Sequence, residues 1–69
     1  MPVASLVKMA NQIATNVAHQ GHDAAVETLA SHVKDFWAPS MLADLQAHID
    51  VGGGDVDPIV IEAMAKLRG

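Results

Sequence analysis

Four histidines are the side chains here best able to hold a metal: His19 and His22 stand three apart, and His32 and His48 complete a set of imidazole nitrogens. A ligand set must converge, and the expected helix end at Gly21 separates His19 from His22. The arc carrying His19 also looks away from the apolar side of its helix, so surface histidines are the expectation. His48 stands beside Met41 at the edge of an apolar stripe, where a hydrogen-bonded boundary role is expected. The sequence has no cysteine, which removes thiolate zinc sites, cysteine nucleophiles and disulfides. Ser5, Ser31 and Ser40 lie in no Gly-x-Ser-x-Gly elbow. Gly52-Gly53-Gly54 lacks both the Lys-Ser/Thr of a phosphate loop and the strand preceding a dinucleotide fingerprint. Asp23, Glu27, Asp35 and Asp44 fall on solvated faces, whereas acid–base work needs carboxyls converging in a desolvated cleft. No catalytic, cofactor-binding or metal-ligating residue is assigned, and the chain is not expected to be an enzyme.

The elements that would position any site are few. With 69 residues and 7.2 kDa, the chain is expected to be one domain over residues 1–69. A domain of this size buries only about 60% of the surface its unfolded form exposes, so association is the expected source of added stability. An apolar fraction of 51% with a net charge of −4 argues for folding rather than disorder. Four Lys and Arg against eight Asp and Glu give no basic footprint for nucleic acid. Polar Asn11, Gln12, Thr15 and Asn16 interrupt the N-terminal apolar stretch, so neither a membrane span nor a signal-peptide core is expected. A soluble, cytoplasmic chain is the resulting expectation.

Periodicity gives an all-α fold, a small bundle of three to four helices, with helices near 3–19, 23–37, 39–50 and 58–67. Between residues 3 and 19 the apolar side chains fill one half of the helical wheel. Asp23 is expected to cap the second helix, whose inward arc runs from Ala25 to Trp37, and Pro39 stops it while opening the third. The glycine run reads as a flexible connection, and Asp57-Pro58 as a cap and first turn. Glu62 and Lys66 are expected to pair with each other along the last helix. The expected core is Leu6, Ile13, Val17, Leu29, Val33, Phe36, Leu45 and Ile49.

Phe36-Trp37-Ala38-Pro39-Ser40-Met41 puts the only two aromatics and a methionine at a helix break. These side chains either anchor the core or reach a partner, with Trp37 as a hot-spot residue. In the last helix Ile59 and Ile61 point about 160° apart, so one seam cannot cover both. The candidate partner-binding residues are therefore Phe36, Trp37, Pro39, Met41, Ile59, Ile61 and Met64, read as one surface joining the 37–41 corner to the outer side of the last helix.

Four colinear blocks carry a resemblance: LVKMANQIA at 6–14, AVETLASHVKDFWAPSM at 25–41, LQAHIDVGGG at 45–54 and DPIVIEAMAKL at 57–67. The chain resembles the delta subunit of soluble, NAD-dependent, molybdenum-containing formate dehydrogenases. It departs from that pattern at Ser40, where arginine is common, and at Thr15 to Val17, where aromatics are common. The resemblance implies a non-catalytic accessory subunit of a complex oxidising formate to carbon dioxide, its partner being the large catalytic subunit. It also implies that the molybdenum pterin and iron–sulfur clusters belong to that subunit, and flavin and NAD to others, leaving this chain without a cofactor. The alternative reading is a helical protein that self-associates as a homodimer. A protein that handles the molybdenum pterin ranks last, because Lys8, Lys34, Lys66 and Arg68 are too scattered to meet phosphates.

Overall fold

The sequence's first amphipathic stretch forms α1, Val3–Val17, in a computed structural model that describes residues 2–68. Pro2 is extended at its start, and its carbonyl accepts from the Ser5 and Leu6 amides at 3.0 and 3.4 Å. A single 3-10 turn over Ala18–Gln20 tightens the end of α1. Gly21 then reverses the chain at φ 94°, a conformation that L side chains rarely adopt. Helix α2, His22–Phe36, starts directly from Gly21, so Asp23 lies inside the first turn and does not cap it. Its carboxylate faces the positive end of the helix dipole there.

Helix α2 stops one residue earlier than its pattern suggests. Trp37 leaves the helix with φ −91° and ψ 141°, though its amide still donates to the Val33 carbonyl at 2.9 Å. Ala38 is extended, as the following proline demands, and Pro39 opens α3, Pro39–Asp50. Helix α4 covers Pro58–Arg68. Asp57 caps it as expected, Oδ1 accepting from the Ile59 amide at 2.9 Å. The described residues form four α-helices and no strand.

The core takes Leu6, Val7, Ala10 and Ala14 from α1, Val26, Leu29, Ala30 and Val33 from α2, and Val60, Ala63 and Met64 from α4, closed by Trp37, Leu45 and Val56. Seven of these are alanines or fully buried leucines from the four helices, so small and large side chains share the seams. Leu6, Leu29, Val33, Leu45 and Val60 are fully buried, each contributing about 1.5–3 kcal/mol by removal from water. No polar or charged residue is buried among the described ones.

The most extensive helix contact is between α2 and α4. His22 pairs with Glu62 and Glu27 with Lys66, so the two helices run in the same direction side by side. This corrects the expected Glu62–Lys66 pair: both side chains reach across to α2. The same geometry corrects the placement of Phe36. Seven residues past Leu29 it should face inward, but α4 ends beside Ala30 and Lys34, leaving Phe36 beyond cover and 76% exposed. Ile13, Val17 and Ile49 are half-buried, and the remaining four expected core residues are fully buried.

Candidate partner-binding surface

The histidines go to four different places. His22 meets Glu62, His48 Nε2 lies 2.8 Å from Asp55 Oδ1, His32 stacks on Phe36 with ring centroids 5.0 Å apart, and His19 is exposed. Among the described residues no three His, Cys, Asp or Glu side chains are grouped to hold a metal ion. Ser31 and Ser40 are exposed and Ser5 is half-buried, none of them hydrogen-bonded to a histidine.

Glu27, Asp50, Asp55 and Glu62 pair with basic side chains, and Asp57 caps α4. The Asp55 carboxyl is held below the ordinary carboxylate value of 3.8, first by its hydrogen bond with His48. Lys66 is held above its ordinary 10.5, first by its hydrogen bond with Glu27. Arg68 Nη2 donates to Asp50 Oδ2 at 2.6 Å, tying the ends of α3 and α4. Each of these groups is spent on holding helices or turns together.

The glycine-rich turn is tied down at several points. Asn11 on α1 donates through Nδ2 to the Asp55 carbonyl at 2.8 Å and accepts through Oδ1 from the Asp57 amide at 2.9 Å. Gly53 is buried at φ 51°, and a Cβ there would sit 3.0 Å from the Ile49 Cα. Val56 turns inward to join the core. Gly53 and Val56 thus pack this corner, where the sequence suggests a flexible connection, while Gly52 and Gly54 are exposed. Asn11 lies on the wheel next to Val7 and Ala14, at the margin of the apolar arc, and that marginal position is the one signal of its role.

Two open grooves flank α2. The groove shared with α4, about 570 Å³, is walled by Asp23, Glu27, Glu62 and Lys66 around Val26 and Ala65. The groove shared with α1, about 400 Å³, is lined by Lys8, Met9, Gln12, Ile13, His32 and Trp37. Met9, 39% exposed, is in its wall, and Phe36 stands on its rim against His32.

The seven candidate contact residues divide. Trp37 and Met64 are buried, so they support the surface from beneath. Phe36 and Pro39 are exposed, Met41 and Ile59 are half-buried against the core, and Ile61 is 37% exposed. They do not form one continuous corner. Ile61 adjoins Glu62, which meets α2 at His22, whereas Phe36 ends α2 fourteen residues later, about 21 Å along the axis.

No described helix is long and apolar enough to cross a membrane. No curated protein and no solved structure matches the chain. One family profile does match, over residues 5–64, running from the first turn of α1 into α4 and taking in all four helices. The blocks that carry the resemblance in sequence also meet in space, since Met9, Gln12 and Ile13 of the first and His32 and Trp37 of the second line a single groove. The chain belongs to the family of NADH-dependent formate dehydrogenase delta subunits, FdsD.

Proposed function

We propose that the chain is a non-catalytic accessory subunit that docks on the large, molybdenum-containing catalytic subunit of a formate dehydrogenase complex and stabilises it or assists its assembly. The family match over residues 5–64 carries this reading. Iron–sulfur clusters are held by cysteine thiolates, and the sequence has none. The four basic side chains are scattered, and two of them, Lys66 and Arg68, are already paired within the fold. The residues present therefore do not fit an iron–sulfur cluster or the phosphates of a molybdenum pterin, and no step of formate oxidation is assigned to this chain. Those groups, with flavin and NAD, are assigned to other subunits.

Docking draws on the apolar side chains left in water. Phe36, Pro39 and Met41 lie at one end of α2, and Ile59 and Ile61 at the other. A large subunit can span both, and a few buried apolar anchors supply micromolar affinity once the costs of association are met. The test is co-expression of a tagged chain with the large subunit of its own complex, followed by purification on the tag. The expected result is recovery of the large subunit in fixed ratio, weakened by Ile61→Asp with helix content retained. A chain that purifies free of the large subunit contradicts the proposal.

A further inference from the structure

We propose that the patch made by Phe36 and the α1–α2 groove is self-complementary, and that a second copy of this chain covers it through a two-fold axis. A two-fold interface needs one patch to carry both a projection and a recess, so that each copy gives one and receives the other. Both features are here side by side. Phe36 projects, 76% exposed, from the last turn of α2. The recess next to it is lined on its apolar side by Met9, Ile13 and Trp37, and its volume of about 400 Å³ has room for a phenyl ring. Within one chain Phe36 leans on His32 at the rim and leaves the recess open.

The charges agree with the same axis. Lys8 lines the recess and Asp35, also exposed, immediately precedes the projection. Neither belongs to any ion pair among the described residues. A two-fold axis that seats Phe36 of one copy against Met9 and Ile13 of the other brings Asp35 toward Lys8 twice over. The chain exposes 4045 Å², so a standard interface of about 800 Å² per partner would occupy a fifth of it. A patch centred on one aromatic lies at or below that size, and the pairing belongs in the micromolar range. In the free chain the second copy occupies the Phe36 end of the surface that the accessory-subunit reading gives to the large subunit, so docking displaces it, and the pairing is measured on the chain alone.

The test is sedimentation velocity of the full chain from about 5 to 500 µM at low salt, the range in which a micromolar pairing appears, with helical circular dichroism recorded for every variant. The expected result is a concentration-dependent dimer. Phe36→Ser, at an exposed position, should raise its dissociation constant at least tenfold without loss of helix. Lys8→Glu and Asp35→Lys should each weaken the dimer, and the two combined should restore it. A chain that remains monomeric throughout the range overturns the proposal. So does a dimer indifferent to Phe36→Ser, or one in which the combined charge exchange gives no recovery. A monomeric chain whose Phe36→Ser variant loses only capture of the large subunit assigns the patch to that subunit and overturns the second copy as its occupant.

Discussion

The groove on the α4 side of α2 is walled by charges that satisfy one another, Glu27 with Lys66 and Glu62 with His22, whereas the groove on the α1 side leaves Met9 and Phe36 in water. Both flank the same helix, and the helical wheel alone does not distinguish them. The difference comes from where the neighbouring helices end. Helix α4 runs parallel to α2 and stops near Ala30 and Lys34, so Phe36, beyond that level, lacks the cover its wheel angle suggests. Glu27, Glu62 and Lys66 in the wall of the α4-side groove find partners within the chain, whereas Met9 and Phe36 on the α1 side are left exposed.

The sharpest way to break this comparison is at the two adjacent aromatics. Trp37→Ala removes a buried ring and should lower stability by about 3–5 kcal/mol, read from urea denaturation. For a domain of this size that is a large part of the total. Phe36→Ser, one residue earlier and exposed, should change it by less than about 0.5 kcal/mol. Equal losses at the two positions would show that Phe36 is packed and that the account of the α1 side is wrong.

Next in size is the corner that positions α4 beside α2. Asn11→Ala removes two hydrogen bonds, leaving the part-buried Asp57 amide without its partner, and should lower stability by about 1–3 kcal/mol in the same measurement. The exposed pairs on the α4 side come last. Glu27→Gln should shift the unfolding midpoint less than Asn11→Ala does, and added salt should erase the shift, because exposed ion pairs are screened.

The pH dependence sharpens the same ranking. Because the Asp55 carboxyl is held below 3.8 in the fold, its contribution is complete above that value and is lost as pH falls through the lower folded value. Asp55→Asn should remove that acid-side slope. Lys66 has the opposite sign: held above 10.5, its contribution is complete below that value and is lost as pH rises through the folded one. Thermal melts of the parent and Asp55→Asn chains across the acid range check the first of these.

The helices were legible in the sequence because their boundaries are local. Pro39, Gly21 and Asp57-Pro58 act through their own backbone geometry or that of immediate neighbours. The fully buried Leu6, Leu29, Val33 and Leu45 were legible for the same reason, lying at the centre of clean apolar arcs. What escaped is non-local. The inversion of Phe36 and Trp37 depends on the length and direction of α4, and the tether from Asn11 spans 44 to 46 residues of chain. Glu62 and Lys66 satisfy the helical i,i+4 rule yet choose partners on α2, because the parallel helix places His22 and Glu27 within reach. The apolar content that pointed to a partner was visible from composition, but not the division of the candidate surface between the two ends of α2.

The most direct test of the central claim compares the formate dehydrogenase complex produced with and without this chain, measuring formate-dependent NADH formation per bound molybdenum. The account predicts that activity per molybdenum is unchanged while the yield or stability of the molybdenum-loaded large subunit falls. A loss of activity per molybdenum of tenfold or more, with molybdenum content intact, would show that the chain supplies a group to catalysis or electron transfer and would contradict the account.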